Sequence, residues 1–120
     1  MILSIIIPVY NEEKTIIQIL KKIKNNSSNL LKYEVIVIDD GSTDQSGKLL
    51  ENNKHLFDKL LINETNKGKG FSVKKGILNA SGTHIIFQDA DLEYDPEDFK
   101  KFEKIFLDFD ADGIIGSRFV

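Results

Sequence analysis

The sequence predicts an α/β protein with a mostly parallel sheet and helices on both faces. Five short apolar runs rich in β-branched residues alternate with segments of helical periodicity. The runs are continuous rather than alternating, which is typical of strands buried on both faces. Strict alternation of strand and helix favours parallel pairing with right-handed crossovers. The predicted strands are Leu3–Pro8, Glu34–Asp39, Lys59–Asn63, His84–Asp89 and Gly113–Ser117.

The segments between the strands have the apolar stripes expected of helices packed on a sheet. In Glu12–Lys24, isoleucine and leucine recur on one face while the lysines lie elsewhere. Weaker patterns predict helices at Thr43–Asn53, with Ser42 or Thr43 at its start, and at Gly70–Ala80, which Gly82 would close in a left-handed conformation. Asp95 and Pro96 open a fourth helix, whose phenylalanines we interpret as core residues. They are Phe99, Phe102, Phe106 and Phe109.

Length and composition restrict the classes of function. A chain of 120 residues suits one domain, and its net charge of −3 disfavours a dedicated nucleic-acid binder, which needs a basic surface. The absence of cysteine excludes disulfides, thiolate metal sites and cysteine nucleophiles. No apolar run approaches the roughly 20 residues that span a bilayer, and the N-terminus lacks the basic start of a signal peptide. We therefore expect a cytoplasmic protein whose membrane contact, if any, is peripheral.

Acidic residues follow three of the predicted strands. Ligands of open α/β sheets bind beyond the carboxyl ends of the strands, so these carboxylates would face one crevice. Repulsion among them would need neutralisation, and a divalent metal supplies it. Asp89 and Asp91 have the spacing and position to bind Mg²⁺ or Mn²⁺. The alternative for this Asp-x-Asp pattern is an acidic turn followed by a helix cap, and the two readings have about equal weight.

Three further features have both a functional and a structural interpretation. An aspartate of Asp39-Asp40-Gly41 could accept hydrogen bonds from a nucleobase, or the segment could be a turn before a helix cap. Asn66–Gly70 could meet phosphate, although a surface turn is the more common role of such a loop. Arg118 could hold a diphosphate or be an exposed arginine. His55 and His84 form no site, and no serine lies in a nucleophile-elbow pattern.

Taken together, these segments resemble the nucleotide-binding half of the family-two inverting glycosyltransferases of the GT-A fold. Five motifs occur in the order of that family and span essentially the whole chain. The segment from Asp89 to Pro96 is most similar to the polyprenyl-phosphate sugar transferases, the dolichol-phosphate mannosyltransferase group among them. The matching segments are Ile5–Glu12, Val35–Asp44, Asn66–Gly70, Gln88–Pro96 and Gly116–Arg118.

The resemblance implies a Rossmann-like fold and a role for particular residues. Residues at the ends of the first two strands would contact the base and ribose of a nucleotide sugar, Asp89 and Asp91 would bind the metal, and Arg118 would bind the diphosphate. Glu93 would be an outer or third metal ligand. The residues implied to contact the nucleotide sugar are Pro8, Tyr10, Glu12, Ile38, Asp40, Lys69, Asp89, Ala90, Asp91 and Arg118, of which Asp89, Asp91 and Arg118 would be catalytic.

The implied activity is transfer of a sugar from a GDP- or UDP-sugar to an acceptor, with inversion and with Mg²⁺ or Mn²⁺. The expected acceptor is a polyprenyl phosphate at the cytoplasmic membrane face, in the synthesis of cell-envelope glycans. The chain stops after Gly116–Arg118, before the acceptor half of the family, so we expect residues 1–120 to be one nucleotide-sugar-binding unit that a missing C-terminal half or a partner chain completes. One alternative is a truncated, non-catalytic nucleotide-sugar-binding or interaction module. A nucleotidyltransferase is disfavoured because no glycine-rich loop follows the first strand.

Overall fold

A computed structural model of the protein describes residues 2–25, 32–90 and 114–116, the last three by their backbone. Strands and helices alternate as predicted, and the predicted fourth helix with its four phenylalanines lies outside the described residues. The strands are β1 Ile2–Val9, β2 Lys32–Asp40, β3 Lys59–Asn63, β4 His84–Phe87 and β5 Ile114–Gly116. The helices are α1 Ile16–Asn25, α2 Ser46–Glu51 and α3 Lys69–Leu78, with a short 3₁₀ turn at Lys54–Leu56.

The strands form one sheet in the order β3-β2-β1-β4-β5, and every described pairing is parallel. In the register of the sheet, Pro8 of β1 lies beside Ile38 of β2, and Ile38 lies beside Leu61 of β3. On its other side β1 pairs with β4, where Ile6 lies beside Phe87. The carboxyl ends of β1, β2 and β4 therefore meet at one edge of the sheet, as the fold class predicts.

The core lies on both faces of the central strands. On one face, alternate residues of β1 and the apolar stripe of α1 form a single buried cluster. On the other face a smaller cluster contains Ile6, Ile36 and Ile38. Helix α3 covers this second cluster so closely that a methyl group at Gly76 would lie 2.6 Å from Cγ2 of Ile6. Helices thus cover both faces, which confirms the predicted architecture.

Burial on both faces holds for β1 and β2 but not for β3. Residues 35–40 of β2 are all buried, whereas only Asn63 of β3 is buried and Ile62 is 54% exposed. Strand β3 is an edge strand of the sheet. The prediction of two-sided burial was therefore wrong for β3, because the apolar run alone does not reveal a strand's place in the sheet.

Two helices begin later than the sequence pattern predicts. Helix α1 begins at Ile16 rather than Glu12, and its first hydrogen bonds run from the backbone N–H groups of Thr15 and Ile16 to the carbonyl of Glu12. Helix α2 begins at Ser46, and neither Ser42 nor Thr43 caps it. Both residues instead contact Asn11 after β1: Ser42 Oγ accepts from the Asn11 N–H and Thr43 N–H donates to Asn11 Oδ1.

Gly82 has a different role from the predicted one. Helix α3 ends at Leu78, and Gly82 is not among the glycines with a left-handed backbone. A Cβ at Gly82 would lie 2.4 Å from Ser4 Oγ and 2.8 Å from the carbonyl oxygen of Ile2. Glycine is needed at this position because the chain passes against β1 before it enters β4, and not because it closes a helix.

Candidate nucleotide-sugar site

The edge where the strands end contains a cavity of about 370 Å³. It lies at the ends of β1 and β4, beside Asp40 of β2 and the loop that precedes α3. Seven lining residues are ones that the sequence identifies: Pro8, Tyr10, Glu12, Asp40, Lys69, Asp89 and Ala90. The other three are Val9, Asn66 and Gly68. All three belong to matching motifs, Val9 to Ile5–Glu12 and the other two to Asn66–Gly70, and these motifs were the signal that could have placed them here.

Four predicted site residues remain to be placed. Ile38 does not line it, since its side chain is fully buried in the cluster beneath α3. Asp91, Glu93 and Arg118 lie outside the described residues. The described part of the site thus contains one of the two predicted metal ligands, Asp89.

Asp40 is hydrogen-bonded to the loop before α3. Its Oδ1 accepts from the backbone N–H of Lys67 at 2.7 Å and from Nδ2 of Asn63 at 2.9 Å, and its Oδ2 accepts from the N–H of Gly68 at 3.0 Å. Only 3% of Asp40 is exposed. Asn63 also donates to Ser72 Oγ, so the contact extends into α3. We call these contacts of Asp40 and Asn63 the loop clamp; they fix the backbone immediately before Lys69.

Gly41 allows the clamp to close. Its φ of +68° is in the left-handed region, and a Cβ there would lie 2.5 Å from the backbone nitrogen of Asn66. Such a separation is far below van der Waals contact, so only glycine permits the turn after β2 to approach the loop before α3.

The other acidic residues after β2 are also bonded within the turn. Asp39 Oδ1 accepts from the Ser42 N–H at 3.1 Å, and Asp44 accepts from the N–H groups of Ser46 and Glu13. Burial tends to raise the pKa of Asp44, but the hydrogen bonds from Ser46 and Glu13 outweigh it and lower that pKa. The hydrogen bond from Glu13 to Asp44 joins the segment after β1 to the segment after β2.

Asp89 lies at the end of β4 and faces Lys69 across the cavity. Lys69 Nζ forms an ion pair with Asp89 Oδ1, linking the first residue of α3 to the strand end. The Asp89 side chain is 12% exposed and the Lys69 side chain 52% exposed, so the pair joins a buried carboxylate to a solvent-facing ammonium group. Thr15 Oγ1 donates to the carbonyl of Ala90 and ties this strand end to the start of α1.

The site can accept an anionic ligand and a cation together. Tyr10 is 45% exposed at the cavity, where its ring offers a surface for stacking, and Lys69 supplies positive charge. The Asp89 carboxylate already contacts a cationic group, and carboxylate oxygens suit Mg²⁺ and Mn²⁺. Asp89 therefore fits the predicted role of a metal ligand. Within the described residues, no three histidine, cysteine or acidic side chains lie close enough together to hold a metal ion.

Comparison with known proteins identifies the family. A model of "Glycosyl transferase family 2" matches residues 4–120, nearly the entire chain. The chain belongs to glycosyl transferase family 2. The resemblance seen in the five motifs is thereby confirmed, and the described fold agrees with it.

One curated relative and two solved structures align with most of the chain. A dolichyl-phosphate beta-glucosyltransferase of Dictyostelium discoideum is 38% identical over 113 residues, covering 86% of this chain and 35% of the relative. The structure of S. aureus TarS 1-349 in complex with UDP aligns with a TM-score of 0.77 and 29% identity, over 90% of this chain and 32% of that one. Mannosyltransferase PcManGT from Pyrobaculum calidifontis, in complex with GDP-Man and Mn²⁺, aligns with a TM-score of 0.69 and 27% identity, over 80% and 29%.

The chain spans about a third of the length of each of these three proteins. The matched region of this family 2 chain contains the complete cavity described above, from Pro8 to Ala90. None of the helices in the described ranges combines the length and the apolar character required to cross a bilayer.

Proposed function

We propose that residues 1–120 form the nucleotide-sugar-binding unit of a glycosyltransferase that transfers a sugar, with inversion, from a GDP- or UDP-sugar to a polyprenyl phosphate. The observation that carries the proposal is the cavity of about 370 Å³, in which seven of the residues predicted from the family motifs come together. One similar structure was obtained with UDP and another with GDP-Man and Mn²⁺, which supports a nucleotide-sugar ligand here. The polyprenyl-phosphate acceptor is supported by the dolichyl-phosphate beta-glucosyltransferase.

Different residues of the cavity are proposed to bind the base, the ribose and the phosphates of the nucleotide sugar. Tyr10 lies at the exposed side, where the base can stack on its ring. Glu12, half-buried in the segment between β1 and α1, offers carboxylate oxygens to ribose hydroxyl groups. Lys69 and Asp89 form a charged pair in the wall of the cavity. There the ammonium group of Lys69 can pair with phosphate oxygens of the nucleotide sugar.

Asp89, together with Asp91, would hold Mg²⁺ or Mn²⁺. The bound metal would act as a Lewis acid that stabilises the negative charge developing on the leaving diphosphate. Lys69 adds a second positive charge at this end of the cavity, and Arg118 is proposed to add a third through a bidentate pair. A phosphate acceptor is anionic at neutral pH, so these residues need to orient it and need not supply a strong general base.

Calorimetry on the intact protein tests the proposal. We would titrate GDP-mannose, UDP-glucose and UDP-N-acetylglucosamine with and without Mn²⁺, and we expect one donor to bind in a Mn²⁺-dependent manner. Asp89→Asn should weaken that binding by roughly a hundredfold, because loss of a carboxylate ligand removes both charge and coordination. Incubation of the protein with that donor, radiolabelled in its sugar, and with a polyprenyl phosphate should then give a labelled lipid product of inverted anomeric configuration.

Glu51→Gln is the matched control for Asp89→Asn. It makes the same carboxylate-to-amide change at an exposed residue of α2 whose partner is Lys54, away from the cavity. Donor binding should be unchanged in this variant. A folded protein that binds no donor would contradict the proposal, and donor binding without lipid product would favour the non-catalytic binding module.

A further inference from the structure

The ion pair between Lys69 and Asp89 joins the two groups that the ligand is expected to engage. The Asp89 carboxylate is largely buried and contacts the ammonium group of Lys69. Phosphate oxygens would compete with Asp89 for the ammonium group, and a metal ion would compete with Lys69 for the carboxylate. Both exchanges would take place within the same cavity.

We propose that Lys69 is an internal counter-ion that couples cation binding to nucleotide binding. In the free protein it neutralises Asp89; when a divalent cation takes its place, the ammonium group turns to the phosphates of the nucleotide. Lys69 therefore opposes binding of the cation alone and favours binding of the cation and nucleotide together. The inference rests on the proposed function and adds cooperativity to it, since each ligand raises the affinity for the other by the same factor.

The side chain of Lys69 is able to make this exchange. About half of the Lys69 side chain is exposed, and its four-carbon stem is flexible. The ammonium group can therefore leave Asp89 while the backbone stays fixed. Electrostatics favour the exchange, since a divalent ion offers the carboxylate twice the charge of an ammonium group. The phosphates then provide the anionic partner that Lys69 has lost.

The loop clamp keeps the Lys69 backbone in place during this exchange. Asp40 accepts hydrogen bonds from the two N–H groups that precede it, those of Lys67 and Gly68. Asn63 joins the clamp to Ser72, one turn further into α3. The movement is therefore confined to one side chain on a fixed backbone, and its two positions differ only in the anion that the ammonium group contacts.

The test uses three proteins: wild type, Lys69→Met and Lys74→Met. Methionine retains an unbranched side chain and removes the charge. Lys74 is an exposed residue of the same helix that lies outside the cavity and makes no ion pair within the described ranges, so its variant controls for net charge. Binding of Mn²⁺ alone is followed by electron paramagnetic resonance, and binding of UDP and GDP at saturating Mn²⁺ by calorimetry.

Lys69→Met should change the two affinities in opposite directions. We expect Mn²⁺ alone to bind roughly threefold to tenfold more tightly, because the competing cation is gone, and the nucleoside diphosphate to bind roughly tenfold more weakly. Lys74→Met should change both by less than about twofold. Lys69→Arg, which retains the charge, should restore weak binding of Mn²⁺ alone. A purely structural role of Lys69 would not strengthen metal binding.

Several results would overturn the inference. Mn²⁺ affinity that is unchanged or lower in Lys69→Met, including the absence of Mn²⁺ binding in both proteins, would exclude a competing counter-ion. A loss of both affinities together would assign Lys69 to direct support of the site. A different result would contradict the proposed function: wild-type protein that binds Mn²⁺ but no nucleotide. In that case the Mn²⁺ measurement still decides whether Lys69 competes for Asp89.

Discussion

The ends of β2 and β4 are both acidic but use their carboxylates in different ways. At the end of β2, Asp39 and Asp40 accept hydrogen bonds from backbone N–H groups of the following turn and of the loop before α3. At the end of β4, Asp89 forms an ion pair with the long, half-exposed side chain of Lys69. Backbone donors are fixed by the fold, whereas a lysine ammonium group can move to another anion. The first arrangement builds the cavity, and the second leaves a carboxylate that can change its partner.

Substitution of Asp40 should give the largest effect on stability. Asp40→Ala removes three hydrogen bonds and leaves the N–H groups of Lys67 and Gly68 without their acceptor. We expect the free energy of unfolding to fall by about 3 kcal/mol. Urea denaturation measures this value. Asp89→Asn should change it by less than about 1 kcal/mol while weakening metal-dependent donor binding by roughly a hundredfold. Equal losses of stability in both variants would remove the distinction between the two strand ends.

Substitution of Gly41 tests the close approach of the turn to the loop. Gly41→Ala places a Cβ 2.5 Å from the Asn66 backbone at a φ of +68°. We expect a loss of about 2 kcal/mol, measured by urea denaturation, since both the strain and the overlap must be relieved by moving the loop. Gly70→Ala is the control, because a Cβ there meets nothing within 4 Å. It should be neutral or slightly stabilising; a similar cost at both positions would contradict a specific contact at Gly41.

Glu34 extends the comparison to the opposite end of β2. Its Oε1 accepts from Ser4 Oγ at 2.7 Å and from the Ser81 N–H at 2.9 Å, and Lys59 lies 3.5 Å away. Burial tends to raise the pKa of Glu34, but hydrogen bonds from Ser81 and Ser4, with the charge of Lys59, lower it from 4.5 to about 2. Because the folded pKa is below the unfolded one, the carboxylate stabilises the fold above about pH 4.5 and loses this contribution as the pH falls towards 2.

Glu34→Gln should therefore flatten the dependence of stability on pH. At pH 7 we expect the variant to be less stable by roughly 1–2 kcal/mol, a difference that shrinks as the pH falls from 4.5 towards 2. Urea denaturation at pH 7, 4.5 and 3 measures the difference. Glu51→Gln, whose carboxylate belongs to an exposed pair with Lys54, should follow the wild type at each pH. A constant difference between Glu34→Gln and wild type would show that the hydrogen bonds do not depend on the charge.

Much of the fold and part of the site could be predicted from local pattern. Apolar runs and helical stripes repeat within a few residues, so they are visible in the local sequence. They predicted the strands, the order of the elements and the parallel sheet. The acidic strand ends and the loop at Asn66–Gly70 indicated where the cavity lies, and the family resemblance implied seven of its ten lining residues. The start of α2 was missed because Ser42 and Thr43 have partners about thirty residues away, at Asn11, which no local cap pattern contains.

The sequence alone determined the alternation of strand and helix, the edge where the cavity forms and the residue types that line it. Only the tertiary structure decided which role each residue has. Asp40 clamps a loop 27 residues away, Lys69 reaches a carboxylate 20 residues away, and Gly82 fits against Ser4, 78 residues earlier in the chain. Ile38 lies in the core, although it is adjacent to Asp39 and Asp40 in the sequence. Sheet register and loop path set these contacts, and both depend on the packing of distant segments rather than on the neighbours of any one residue.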